Sequence, residues 1–200
     1  ATVEELAKYS TVPVWNGLTD WFHPTQILAD VMTMQEHLGS LKDVQFTYMG
    51  DGRNNMGNSL MIGMAMLGIG FKIGAPRHLW PEEELVATAK KIAAKNGTVV
   101  EFSEDPKQAV RGSHVVYTDV WVSMGEENKP GIQERVASLR PYQVNNELMK
   151  ATGLKESIFL HCLPAVHNQE VSEEVFESKA SKVFDQAENR MHTIKAVMLA

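Results

Sequence analysis

The run Val44-Gln45-Phe46-Thr47-Tyr48-Met49 leads into Gly50-Asp51-Gly52-Arg53-Asn54-Asn55 and then into the apolar stretch Met56 to Leu67. The first piece is short, carries β-branched and aromatic residues and is bounded by turn residues, which predicts a strand. The last is too long for a typical strand and predicts a helix. The pattern repeats downstream. Strands are expected at Phe71 to Ala75, Thr98 to Phe102, His114 to Thr118 and Ser157 to His161, with helices at Pro81 to Lys95 and around Pro106 to Val110. Strands that alternate with helices imply parallel βαβ units. The strands are continuous apolar runs, as expected when helices cover both faces of a sheet. The expected fold is α/β, a parallel sheet of about five strands with helices on both faces.

Further out, Val12 to Gly17 reads as a short strand entering a turn. His23 to His37 reads as a helix opened by Pro24, whose missing N–H does no harm in a first turn, and ended by Gly39. Residues 188–200 read as a closing helix. In open parallel sheets, ligands bind beyond the carboxyl ends of strands. Asn54 and Asn55 follow the first sheet strand, Asp119 the fourth and Cys162 the fifth, so three polar clusters converge on one edge.

Bulk properties narrow the function. The 200 residues are 44% hydrophobic and 22% charged, ordinary for a globular protein with a real core. A net charge of -6 argues against a general nucleic-acid partner, which would show a basic face. The single cysteine rules out an internal disulfide framework and fits a reducing compartment. No apolar run approaches the roughly 18 residues of a membrane helix, so no membrane partner is expected. No His/Cys/Asp/Glu cluster has metal spacing, and no metal is expected.

Each polar candidate admits a plain reading beside a functional one. Gly50, Gly52 and Gly57 miss the G-x-G-x-x-G spacing, and the second strand ends in Ala75-Pro76-Arg77 rather than in an acid for a ribose. These glycines therefore shape a turn, leaving Arg53, Asn54 and Asn55 at a helix N-terminus where amides can grip a carboxylate or an ammonium. His23 is either a loop residue or, with Gln26 at i+3, a hydrogen-bond donor at the helix start. Cys162 is either a buried small hydrophobe or a polar ligand contact; with no base beside it and His161 expected on the opposite face, a covalent nucleophile is not expected. Asp119 is either a cap or a carboxylate for an ammonium. Ser123-Met124-Gly125 and the polar residues through Gly131 have the composition of a lid loop. Arg190 is either a surface ion-pair partner or, at the start of the last helix, an anion or carbonyl site. Met56, Met61, Met64 and Met66 read as core.

Taken together, His23-Pro24-Thr25-Gln26, the Asp119 to Gly125 segment and His161-Cys162-Leu163-Pro164 resemble the ornithine carbamoyltransferases, and the likeness runs from Trp15-Asn16-Gly17-Leu18-Thr19-Asp20 to the end. The resemblance implies transfer of a carbamoyl group from carbamoyl phosphate to the side-chain amine of L-ornithine, giving citrulline and phosphate without a cofactor. It implies carbamoyl phosphate contacts from His23, Pro24, Thr25, Gln26, Cys162, Leu163 and Arg190. It implies ornithine contacts from Asn55, Asp119, Ser123, Met124 and Cys162. His23, Cys162 and Arg190 would be the catalytic set, with His23 and Arg190 polarising one carbonyl. Alternatives are a carbamoyltransferase for another amine and a non-catalytic nucleotide-binding α/β module.

The same resemblance implies a remnant of the carbamoyl phosphate domain with an interdomain helix at 1–37, a Rossmann-like ornithine-binding domain at 38–187 and the closing helix at 188–200. It implies a homotrimer or an assembly of trimers, in the cytoplasm or, for an animal source, the mitochondrial matrix. The family's Ser-Thr-Arg-Thr-Arg phosphate loop is not in this sequence, so the 200 residues alone are expected to be inactive. The family also usually carries a longer segment after His-Cys-Leu-Pro, so residues are expected to be missing around Ala165 to Glu170.

Overall fold

A computed structural model of the chain describes residues 2–122, 125–126 and 128–200. At its centre lies a sheet of β1 (Gln45–Met49), β2 (Gly70–Gly74), β3 (Val100–Ser103), β4 (Val115–Thr118) and β5 (Ile158–His161). All neighbours pair in parallel, in the order β3-β2-β1-β4-β5. The helices are α1 (Thr2–Tyr9), α2 (Pro24–Leu38), α3 (Asn55–Leu67), α4 (Glu83–Lys95), α5 (Pro106–Val110), α6 (Ile132–Leu139), α7 (Asn146–Ala151), α8 (Glu173–Phe176) and α9 (Val183–Leu199). The expected α/β sheet is therefore present, with five strands.

The chain runs outward from β1 through β2 to β3, then returns past β1 to lay down β4 and β5. The order reverses between β1 and β4, which opens a crevice beyond their carboxyl ends. Residues 50–55 and Asp119 leave the sheet there.

Alternation along β1 divides the core. Phe46 and Tyr48 are fully buried; Phe46 lies against Phe71 and Tyr117, with ring centroids 5.8 and 5.7 Å apart. Thr47 points the other way, toward α5, where its hydroxyl lies 3.1 Å from the Ala109 carbonyl and 2.6 Å from Ser113 Oγ. On α3, Met56, Leu60, Met61 and Met64 are buried as the core reading expects, whereas Met66 is exposed. Asn54 caps this helix by accepting from the Gly57 N–H at 2.7 Å. A Cβ on Gly57 would lie 2.6 Å from the Gly52 carbonyl oxygen. That glycine lets the turn pack against the helix start, as the turn-forming reading requires.

Two expectations fail. Val12 to Gly17 forms no strand: Pro13 offers no N–H, and Val12 and Trp15 are exposed with no face to bury. The last helix starts at Val183, not at residue 188. Its buried residues, Val183, Gln186 and Asn189, are spaced three apart but two are polar, so apolar periodicity does not reveal the first turns.

Candidate functional site

A cleft of about 1250 Å³ opens at the carboxyl ends of the strands, and its lining includes His23, Asn54, Asn55, Asp119, Cys162 and Leu163. Asp119, just past β4, is an acid bonded to three different residues there. Its Oδ1 accepts from the Val120 N–H at 2.8 Å and from the Cys162 thiol at 3.1 Å. Its Oδ2 accepts from Asn54 Nδ2 at 3.2 Å, and Asn54 also donates to Tyr48 Oη at 2.8 Å. Burial raises the Asp119 carboxyl above the usual range, opposed by nearby His161 and by its own hydrogen bonds. A carboxyl held in that state gains a counter-charge when an ammonium enters.

Burial, then the charge of Asp119, pushes the Cys162 thiol well above its ordinary value. It is a proton donor to Asp119 rather than a thiolate, in keeping with its reading as a polar contact. Asp119, His161 and Cys162 nonetheless place donor atoms within 4.8 Å of one another, a cluster hidden by sequence separation. His161 does not stand apart from Cys162 as strand alternation suggested, because β5 ends at His161. His161 Nδ1 accepts from the Leu163 N–H at 2.9 Å, and Nε2 meets Glu170 Oε1 at 3.2 Å. Both ring nitrogens are thus engaged within the protein. Leu163 takes a positive φ of 58°, a conformation costly for a branched side chain and held here by the His161 contact.

His23 is the N-cap of α2, with its backbone N–H on Ser59 Oγ at 2.7 Å. Its Nε2 is buried without a partner among the described residues, as is Arg190 Nε. Burial and the Arg190 charge lower the His23 pKa to about 4, so the imidazole is neutral at pH 7. Arg190 lies two turns inside α9 rather than at its start, so no helix N-terminus assists it. Its Nη1 donates to Gln26 Oε1 at 2.5 Å, and Gln26 Nε2 donates to Asp30 Oδ1 at 2.8 Å. The Gln26 carboxamide is therefore engaged with protein at both ends.

The remaining expected residues divide. Asn55 lines the cleft but donates Nδ2 to the Thr19 carbonyl at 2.8 Å, tying the N-terminal segment to α3. Thr25 donates its hydroxyl to the Gly17 carbonyl at 2.9 Å, and Pro24 opens α2. Ser123 and Met124 lie outside the described residues. Of the expected lid, Glu126 bonds Arg135 at 2.7 Å and Lys129 at 3.0 Å, and Arg135 reaches Asp51 at 3.7 Å. Arg135 chiefly holds the Glu126 carboxyl at about 2. Sequence reasoning missed Tyr48, passed over Asn54 in favour of Asn55, and missed Asp30. An Asp one turn after Gln26 on the inner face of α2 was the available signal.

His23 and Asp30 have opposite pH linkages. His23 falls from 6.5 to about 4, so the unfolded chain binds more protons between those values and stability is lost as pH drops below 6.5. Asp30 rises from 3.8 to about 7, so its contribution is present below 3.8 and lost as pH climbs to 7. Each amounts to roughly 3–4 kcal/mol, and over the shared window they nearly cancel. Relative to the parent chain, Asp30→Asn is expected to make stability rise more steeply with pH between 4 and 6.5, and His23→Gln to make it fall. Denaturant unfolding across that range checks the two slopes; parallel profiles for variants and parent would refute the assignment.

Comparisons with known proteins bear on the family and the fold. Residues 42–200 match the aspartate/ornithine carbamoyltransferase family's Asp/Orn binding domain, and residues 1–36 its carbamoyl-P binding domain. The chain is 58% identical to an ornithine carbamoyltransferase of Pseudothermotoga lettingae over 199 residues, covering 100% of this chain and 63% of that protein. It is 54% identical to a catabolic ornithine carbamoyltransferase of Treponema denticola over 215 residues, covering 99% and 63%. The solved ornithine carbamoyltransferase of Pyrococcus furiosus superposes with a TM-score of 0.91 at 46% identity, covering 98% of this chain and 61% of that one. The chain thus spans under two thirds of these relatives' length. The match to the Pseudothermotoga protein is no longer than the chain itself, so relative to that protein no internal segment is missing after His-Cys-Leu-Pro; the Treponema alignment is longer. Among the described residues no helix is long and apolar enough to cross a membrane.

Proposed function

The chain belongs to the aspartate/ornithine carbamoyltransferase family, and on that premise we propose that the protein it represents transfers a carbamoyl group from carbamoyl phosphate to the side-chain amine of L-ornithine. The observation that carries this reading is the cleft at the sheet's switch point, lined by the hydrogen-bonded Asp119 and Cys162 and by His23, whose Nε2 has no partner among the described residues. Asp119 and Asn55 would hold the amino-acid end, with Ser123 and Met124 closing over it. Held there, the side-chain amine is directed at the carbamoyl carbon. The amine attacks as the free base, and deprotonating a lysine-like amine of pKa ~10.4 at pH 7 costs about 4.6 kcal/mol.

His23 and Arg190 would stabilise the carbonyl oxygen as negative charge develops on it. A neutral imidazole donating from Nε2 does so without competing with the guanidinium for the phosphate. Gln26 would act mainly by holding Arg190, and the Leu163 peptide by its strained, fixed position beside Cys162. Pro24 and Thr25 would set the start of α2. The reading extends to residues 1–37 as part of a carbamoyl phosphate domain and to the sheet with its covering helices as the ornithine-binding domain, closed by α9 (Val183–Leu199). It further extends to citrulline as product, a role in arginine metabolism, trimeric assembly and a cytoplasmic location.

The test uses the lone cysteine. Alkylation of Cys162 is expected to slow when L-ornithine and carbamoyl phosphate are present together, and to change little with L-aspartate or putrescine. Protection by aspartate in place of ornithine, or by none of these even in the chain extended to its relatives' full length, would overturn the substrate assignment.

A further inference from the structure

None of the roles above uses the carboxyl of Asp30, which is fully buried on α2 one turn after Gln26. Its Oδ1 accepts from two carboxamides, Gln26 Nε2 at 2.8 Å and Gln186 Nε2 at 2.6 Å. A carbonyl-type oxygen can only accept, so both side chains must turn their NH2 groups toward it and their oxygens away. The Gln26 oxygen then accepts from Arg190 Nη1 at 2.5 Å. The Gln186 oxygen accepts from the backbone N–H of His161 at 3.0 Å, at the end of β5 and directly before Cys162. Oδ2 has no partner among the described residues. An ionised carboxylate would leave charge on that buried atom uncompensated, whereas a protonated one carries its hydrogen there. Burial raises the group to about 7, with Gln26, Gln186 and Arg190 opposing, so the protonated form predominates below pH 7.

We propose that Asp30 is a positioning residue. By orienting the Gln26 and Gln186 carboxamides, it sets the Arg190 guanidinium on one side and the backbone leading to Cys162 on the other, where the carbamoyl group would be bound. The assignment of a carbamoyl ligand rests on the function proposed above; the orienting role does not. The groups facing Asp30 are Gln26 on its own helix, Gln186 and Arg190 on α9, Tyr117 on β4 and Cys162 after β5. A neutral Asp30 leaves the charge of Arg190 available to an anionic ligand.

Side-chain NMR of the 200-residue chain tests the orientation without any ligand. The NH2 groups of Gln26 and Gln186 share one acceptor, so an NOE cross-peak between them is expected in the unsubstituted protein. In Asp30→Leu, which offers no acceptor, both carboxamides are free to flip. The cross-peak should disappear and the Arg190 Nε–H resonance should move. Absence of the cross-peak in the parent overturns the proposal even if the variant does not fold, as does an unmoved Arg190 resonance in a folded variant.

Carbamoyl phosphate titration supplies the functional readout. Asp30→Leu is expected to raise its dissociation constant about tenfold, but less than twofold in a Gln26→Ala, Gln186→Ala background, because the effect passes through those two carboxamides. An equal loss in both backgrounds would mark Asp30 as merely structural. If carbamoyl phosphate is not bound even by the chain extended to its relatives' full length, that counts against the functional reading alone, and the cross-peak still decides the proposal.

Discussion

Asp119→Asn is expected to abolish protection of Cys162 by ornithine over the concentrations that protect the parent chain, a loss of roughly tenfold to a hundredfold in affinity. A hydrogen bond to a charged group is worth about 1.5–3 kcal/mol, and each 1.36 kcal/mol is tenfold. Asparagine removes the charge and sets an amide N–H against donors that the carboxylate now accepts, from Asn54, Val120 and Cys162. The variant carries its own internal control. Asp119 is the second-largest cause, after burial, of the raised Cys162 pKa. Without its charge the thiolate forms more readily, so unliganded alkylation should run several-fold faster than in the parent at the same pH. A buried acid with a raised pKa is also not a group whose neutralisation should unfold the chain. A faster basal rate, lost ornithine protection and a thermal midpoint near the parent's would together place Asp119 in the binding machinery. Unchanged protection by ornithine would remove it.

Phe46→Ala should cost about 3–5 kcal/mol, the range for truncating a buried aromatic. Phe46 is fully buried at the centre of β1, flanked by Phe71 on β2 and Tyr117 on β4. A cavity there cannot relax without moving the strands whose ends carry Asp119 and residues 50–55. For a chain of this size the thermal midpoint should fall by roughly 10 °C. Val99→Ala, at an exposed position, should change stability by no more than about 0.5 kcal/mol. Circular dichroism melts of the two variants decide the matter, and equal midpoints would refute the placement of the core on β1.

The α/β architecture was legible because its signals are local. The apolar run 44–49, the turn at 50–55 and the apolar helix behind it each declare themselves within a few residues, through periodicity, glycine and capping. Once the strands are parallel, candidate ligand residues are sought past their carboxyl ends, so Asn55, Asp119 and Cys162 could be named as candidates without coordinates. What the tertiary structure alone decided are the polar partnerships. Asn54 rather than Asn55 touches Asp119, 65 positions away. Asp30 meets Gln186 across 156 positions, and Arg190 meets Gln26 across 164. These pairs leave no periodic trace, and the polar stripe they place on α9 hides the true start of that helix at Val183. Apolar burial is non-directional and is written into local sequence patterns, whereas a hydrogen bond needs two specific atoms within about 3 Å, a condition that only the folded chain sets.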